Sequence, residues 1–93
     1  MATLATVTAN GASAAIDVSK NITIYPAGNA VLGGATFSIE MCDADTNLEY
    51  QQTGLFFRAG YTNSHVLEVT GACKVRVKTS NASATTNAKF IYQ

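Results

Sequence analysis

The 93-residue chain has few charged residues, one proline, one histidine and no tryptophan. Charged residues make up 13% of it, against about 25% in an average soluble domain, and its six basic and six acidic residues cancel. Because nucleic-acid binding needs a strong positive field, we do not expect a nucleic-acid partner. A surface of small neutral polar groups costs little to desolvate, which favours a lasting contact with another protein.

Long hydrophobic runs are also missing, and no stretch approaches the ~18 apolar residues of a membrane span, so no membrane contact is predicted. Residues 1–5 lack the basic and apolar regions of a signal peptide. Without export, Cys42 and Cys73 are predicted to be reduced, partly buried thiols, with a disulfide between them as the alternative. Together with His65 they fall short of a tetrahedral ligand set, so no metal is predicted.

Short runs of alternating apolar and polar residues, separated by Gly, Asn, Asp or Ser, cover most of the chain. The clearest run is 35–41, in which Phe37, Ile39 and Met41 share one face. No helical periodicity occurs. We therefore expect about seven to nine strands in one all-β domain, an antiparallel sandwich or barrel of the jelly-roll or immunoglobulin-like type.

Two local signals make sharper structural predictions. The pair Asn10-Gly11 predicts a β-hairpin, because both residues tolerate positive φ. Residues 48–52 and 55–61 are predicted to form two strands around Gly54.

The N-terminal residues 1–13 are rich in Ala and Thr and offer little bulk for a core. They are predicted to form either an ordinary first strand of the domain at 14–93 or an arm. An arm would add to the sheet edge of a neighbouring subunit and bind it through Leu4 and Val7.

Catalytic signals are weak. His65 is the sole histidine and lies in phase with Leu67 in a strand-like run. No nucleophile-elbow, zinc-protease or phosphate-loop motif is present. We therefore expect no enzymatic activity, no catalytic residues and no cofactor.

An acidic segment at residues 43–49 resembles the first half of a calcium loop. Its oxygen-bearing residues are Asp43, Asp45, Asn47 and Glu49. The EF-hand pattern then requires Gly at the sixth position and an acid at the twelfth, where this chain has Leu48 and Gly54. A solvated turn is therefore the preferred interpretation, with a weak cation site in the assembled state as the alternative.

Partner-binding residues are predicted from two further patterns. Lys74, Arg76 and Lys78 fall on one face of one strand, which either faces solvent or docks on an acidic protein surface. Phe56-Phe57 sends one ring to each face of its strand. The predicted partner-binding set is Lys74, Arg76, Lys78, Tyr50, Phe57, Leu4 and Val7.

Three stretches resemble a group of small phage-encoded virion proteins. They are residues 10–18 (NGASAAIDV), 33–41 (GGATFSIEM) and 70–77 (TGACKVRV). In that group an opening like NGTSAAIDV precedes a strand like GGATVTLQ and a later strand like GxCKVRV. The chain departs from the group at residues 43–47, where the group often has a Gly-rich turn followed by Trp.

The resemblance implies a structural protein of a bacteriophage virion, a cement protein that decorates the capsid surface and stabilises the shell. Its partner would be the major capsid protein or another virion protein, after assembly in the host cytoplasm. It is expected to be a homo-oligomer, a dimer or a trimer. The alternative is a neck, tail or host-surface module, in which Tyr50, Tyr61 or Phe57 stacks on carbohydrate.

Overall fold

The computed structural model describes residues 1–43 and 47–93 of the chain. These residues form no helix, and none of them belongs to a helix able to cross a membrane. The nine strands are β1 (Ala2–Val7), β2 (Gly11–Ala12), β3 (Ile16–Val18), β4 (Ile22–Pro26), β5 (Thr36–Asp43), β6 (Asn47–Phe57), β7 (His65–Leu67), β8 (Cys73–Ser80) and β9 (Ala88–Tyr92). The prediction of an all-β domain is confirmed.

Two antiparallel sheets pack together, as the sandwich prediction requires. The smaller sheet has the order β1-β9-β4-β7, and the larger has the order β2-β8-β5-β6. β3 also belongs to the larger sheet, because it pairs with the start of β8 while β2 pairs with its end. The centre of the larger sheet is the long pairing of β5 with β8, in which Ile39 lies opposite Val77.

The core follows from the two-residue alternation of the strands. Phe37 and Ile39 of β5 and Val75 and Val77 of β8 are completely buried. Phe90 of β9 is equally buried and comes from the opposite sheet. Its ring lies 4.9 Å from that of Phe37 and 5.2 Å from that of Phe57, centroid to centroid. These aromatic contacts join the two sheets.

β1 is a regular strand of the smaller sheet. It pairs antiparallel with β9, with Thr6 opposite Lys89. Leu4 and Val7 are 4% and 7% exposed and belong to the core cluster. The prediction of Leu4 and Val7 as partner-binding residues of an arm is therefore wrong, because both side chains fill the core of their own domain.

The segment at Asn10-Gly11 connects the two sheets instead of forming a hairpin. β1 pairs with β9 in one sheet, whereas β2 pairs with β8 in the other. Gly11 has φ of 114°, and the Asn10 Oδ1 accepts a hydrogen bond of 2.8 Å from the Ala82 N–H. The sequence signal correctly indicated a bend in the chain. The hairpin prediction is wrong, because the strands on either side of the bend belong to different sheets and do not pair with each other.

β6 is one strand where two were predicted. A bulge at 53–55 lets three of its residues face Ile39 of β5, and Gly54 has φ of 87° there. The Thr53 hydroxyl donates to the Ile39 carbonyl at 2.9 Å and accepts from the Leu55 N–H at 3.2 Å. These bonds hold the strand together across the glycine that otherwise resembles a break.

Phe90→Ala is expected to lower the free energy of unfolding by about 3–5 kcal/mol, the usual cost of truncating a buried phenylalanine. The reason is the loss of its contacts with Phe37 and Phe57 across the two sheets. Urea unfolding followed by circular dichroism measures the change. Val66→Ala is the control, because Val66 is 58% exposed and its truncation is expected to cost less than about 0.5 kcal/mol. Equal losses in both variants would contradict this view of the core.

Candidate functional site: the outer face of the larger sheet

The larger sheet turns one face to the core and the other to solvent. Cys73, Val75 and Val77 of β8 are buried, and the residues between them point the other way, as predicted. We call the solvent-side surface the outer face. It is formed by Lys74, Arg76 and Lys78 of β8, Ser38, Glu40 and Cys42 of β5, and Tyr50, Gln52 and Phe56 of β6.

The centre of the outer face is an ion pair stacked on an aromatic ring. The Arg76 Nε lies 2.9 Å from the Glu40 Oε1, and the Glu40 side chain is only 8% exposed. The Arg76 Cζ lies 3.7 Å from the centroid of the Tyr50 ring. A planar guanidinium suits both contacts at once. The Arg76 guanidinium thus offsets part of the cost of burying the Glu40 carboxyl group.

The basic row of β8 is largely neutralised within the chain. Lys74 forms an exposed ion pair of 2.8 Å with Asp17 of β3, and this hydrogen bond raises the pKa of Lys74. Arg76 is bound to Glu40. Lys78 is exposed, and no ion pair of it occurs among the described residues. The row therefore offers one unpaired cation to a partner where its sequence pattern indicated three.

Tyr50 is half-buried under Arg76 and beside Cys42. Partial desolvation and a hydrogen bond with the Cys42 thiol raise the pKa of Tyr50. The predicted anchor Tyr50 is thus a support for the central ion pair, with part of its ring open to solvent.

An exposed cluster lies at one end of the outer face, where β6 ends. We call Phe56, Arg58 and Tyr61 the aromatic corner. Phe56 is 39% exposed and Tyr61 is 54% exposed, with ring centroids 6.0 Å apart. The Arg58 Cζ lies 4.5 Å from the centroid of the Tyr61 ring. Two aromatic rings and a guanidinium are thus presented together to solvent.

The prediction of Phe57 as a partner-binding residue is wrong, because Phe57 is completely buried. Alternation did place one ring of the pair on each face, but the outward ring is that of Phe56. The register of β6 with β5 decides this, since Phe57 lies opposite the inward-facing Phe37. The sequence alone did not show which residue of β5 would lie opposite Phe57.

A tight turn fixes the aromatic corner. Arg58 and Tyr61 exchange backbone hydrogen bonds of 2.8 and 3.2 Å around Ala59 and Gly60. Gly60 has φ of 85°, which a side chain would disfavour. The sequence interpretation extended a strand through 55–61 and so missed this turn. Ala59-Gly60 was the signal that pointed to it.

A shallow concavity of about 310 Å³ borders the aromatic corner. Its side chains combine two hydroxyls, one amide and one guanidinium with one aliphatic chain and one aromatic ring, from Thr36, Ser38, Gln52, Arg58, Leu55 and Phe56. Lys78 lies beside it, opposite Ser38 in the strand register. Among the residues that the structure describes, no carboxylate lines it. The concavity therefore offers hydrogen bonds and positive charge next to an apolar ring.

His65 links the two sheets. Its Nε2 lies 3.0 Å from the Phe56 carbonyl oxygen, and its ring centroid lies 4.9 Å from that of Phe57. The ring thus bridges β7 to β6 from a strand position, as its phase in the sequence indicated. Both contacts of the His65 ring, with the Phe56 backbone and with the Phe57 ring, join β7 to β6.

The two cysteines are free and buried. Cys42 lies opposite Lys74 in the strand register and shares the outer face with it, whereas Cys73 belongs to the core cluster. Neighbouring residues on opposite faces of one sheet point apart, which disfavours a bridge. The preferred prediction of two reduced, partly buried thiols agrees with this arrangement in their free state, although both are more deeply buried than predicted.

Within residues 1–43 and 47–93, no three His, Cys, Asp or Glu side chains lie close enough together to hold a metal ion. The predicted acidic turn at residues 43–49 lies partly outside the described residues, because Asp45 falls between the two described ranges.

Comparison of the chain with protein-family models, with curated proteins and with solved structures finds no match.

Arg76→Met is expected to lower the free energy of unfolding by about 1–3 kcal/mol, because it leaves the nearly buried Glu40 without its counter-charge. Adding Glu40→Gln to that variant is expected to recover part of the loss. Lys74→Met is the control, because its ion pair with Asp17 is exposed and should leave the unfolding midpoint unchanged. A loss at Lys74 as large as that at Arg76 would contradict the central role of the Arg76 pair.

Loss of the proton from the Cys73 thiol is expected to contribute to a fall in the free energy of unfolding at alkaline pH. Burial raises the pKa of the Cys73 thiol above its ordinary value of 9.0, with Cys42 and Asp43 adding to the effect. The unfolded chain therefore loses this proton first, and the free energy of unfolding falls as pH rises above that value. Urea unfolding between pH 8 and 10.5 should show a shallower decline in Cys73→Ala than in wild type. Parallel pH profiles would exclude this contribution.

Proposed function

We propose that the chain is a structural protein of a bacteriophage particle, one that decorates the capsid shell and stabilises it as a cement protein. Its partner is the major capsid protein or another protein of the virion, and it has no enzymatic role. The observation that carries the proposal is the outer face, a broad and largely neutralised surface that presents the aromatic corner at one end.

The aromatic corner has the composition of a binding hot spot. Tyrosine and arginine are enriched among the residues that dominate protein–protein binding energy. The tight turn at Ala59-Gly60 holds Arg58 and Tyr61 in position before binding, so little conformational entropy remains to be lost. The corner can therefore anchor the domain on a protein surface.

The rest of the outer face suits the rim of such an interface. Thr36, Ser38 and Gln52 are neutral, and their groups exchange water for a partner at little cost where the partner supplies the matching hydrogen bonds. Arg58 and Lys78 are cations near the corner, and no acidic residue of the described part of the chain lines the concavity between them. An acidic patch on the partner would complement this end and set the orientation of docking.

The test uses shells of a phage that carries this protein, prepared without it and then supplied with purified variants. Wild-type protein is expected to bind and to raise the temperature at which the shells release their contents. Phe56→Ala combined with Tyr61→Ala is expected to abolish both effects while remaining folded, because both rings are exposed.

Val31→Ala is the matched control, because Val31 is exposed to 47% and does not belong to the aromatic corner. It should bind and protect like wild type. Wild-type protein that binds no shell, or that binds without changing its heat resistance, would refute the cement role.

A second candidate function, carbohydrate recognition at a phage tail or host-facing tip, is favoured by the concavity beside Phe56. Hydroxyl, amide and guanidinium groups around an exposed ring are the groups that bind sugars. A glycan array probed with the isolated domain separates the two functions. Specific binding that Gln52→Ala and Phe56→Ala both remove would favour the sugar, whereas an empty array would favour the shell.

A further inference from the structure

The concavity beside the aromatic corner has a construction that follows from the strand register. Ser38 of β5 lies opposite Lys78 of β8 on one side and opposite Phe56 of β6 on the other. All three belong to the outer face, so they form one row across three neighbouring strands. Because neighbouring strands lie about 4.8 Å apart, roughly 10 Å separates the backbones of Lys78 and Phe56. The short Ser38 side chain between them leaves a low centre, with a cation on one side and an aromatic ring on the other.

A second row continues this arrangement. Thr36 lies two residues before Ser38 and adds a second hydroxyl to the floor of the concavity. Arg58 lies two residues after Phe56 and continues the side formed by β6. The concavity therefore has a floor of two hydroxyls, with Arg58 on the β6 side and Lys78 on the β8 side.

The charged groups around the concavity are hydrogen-bond donors. The Arg58 guanidinium and the Lys78 ammonium can only donate, and neither forms an ion pair with a described residue. Glu40 follows Ser38 on the same face, but its nearly buried carboxyl group is bound to Arg76. A neutral sugar offers hydroxyl donors, for which a carboxylate is the strongest acceptor, and no carboxylate of the described residues lines the concavity. A ligand with negative charge matches these donors better.

An apolar side makes the concavity more suitable for a ring than for a small inorganic anion. The Phe56 ring is 39% exposed, and the half-buried Leu55 lies beside it. The apolar face of a sugar ring packs on an aromatic ring while its polar rim keeps its hydrogen bonds. The volume of about 310 Å³ is at the lower end of the range of small-molecule sites, which begins at about 300 Å³. The concavity therefore suits one sugar unit.

We infer that the concavity binds a sugar whose ring carries a carboxylate. The sugar ring packs on Phe56, and its hydroxyls bond to Ser38 and Gln52. Arg58 and Lys78 have long side chains that reach the carboxylate from opposite sides. This inference rests on the second candidate function, carbohydrate recognition, and names the class of sugar. Because Phe56 and Arg58 also belong to the aromatic corner, a bound sugar and a shell protein would compete for the same surface.

A matched pair of sugars tests the inference. Methyl glucuronide and methyl glucoside differ only in that a carboxylate replaces a hydroxymethyl group. Each is titrated into the isotope-labelled chain and followed by nuclear magnetic resonance. The glucuronide is expected to shift the backbone amides of residues 36–38 and 52–58, and to bind about five- to tenfold more tightly than the glucoside. Sodium acetate, a carboxylate without a ring, is expected to bind more weakly than the glucuronide.

Variants assign the preference to particular side chains. Lys78→Met and Arg58→Met are each expected to remove most of the advantage of the glucuronide over the glucoside. Phe56→Ala is expected to weaken the binding of both sugars, because both rings pack on it. Lys89→Met is the matched control, because Lys89 is exposed and lies on β9 of the smaller sheet. It removes the same charge and should leave the preference unchanged.

Three results would overturn the inference. They are a glucoside that binds as tightly as the glucuronide, acetate that binds as tightly as the glucuronide, and a loss of preference in Lys89→Met equal to that in Lys78→Met. The first result would leave carbohydrate recognition itself standing. Absence of binding by both sugars would refute the inference and the carbohydrate function together. The shell function is decided separately, by the heat resistance of shells with and without the protein.

Discussion

The contact of Phe90 with Phe37 and Phe57 is the interaction on which the rest of the structure depends. It joins the two sheets at the centre of the core, where all three rings are completely buried. Because Phe57 must point inward to make this contact, Phe56 must point outward. The core therefore determines which ring of the pair reaches the surface, and with it the position of the aromatic corner.

The outer face shows how a weakly charged chain uses its few charges. Arg76 and Glu40 stabilise the face from within, and Lys74 is paired with Asp17 at its margin. Charges that are satisfied inside one molecule contribute little long-range attraction. What remains for a partner is shape, exposed aromatic area and hydrogen-bonding groups. A surface of this kind suits a contact that is made once and kept, which is consistent with the proposed role in a particle.

Much of the fold was predictable because alternation reports burial directly. Phe37 and Ile39, and likewise Val75 and Val77, share a face in the sequence and are buried together in the structure. The errors arose where a local signal has two tertiary outcomes. Asn10-Gly11 turns the chain, but only the pairing of the flanking strands decides between a hairpin and a crossing. Gly54 resembles a break, yet the Thr53 hydroxyl holds the bulged strand together.

The candidate site was predictable only in part. The sequence by itself determined that the domain is all-β and that Lys74, Arg76 and Lys78 share one face, because both follow from a period of two. Only the tertiary structure decided that Arg76 is bound to Glu40, that Leu4, Val7 and Phe57 belong to the core, and that β6 is the end strand of the larger sheet. These properties depend on which strands become neighbours, and residues far apart in the chain carry no local signal of their pairing.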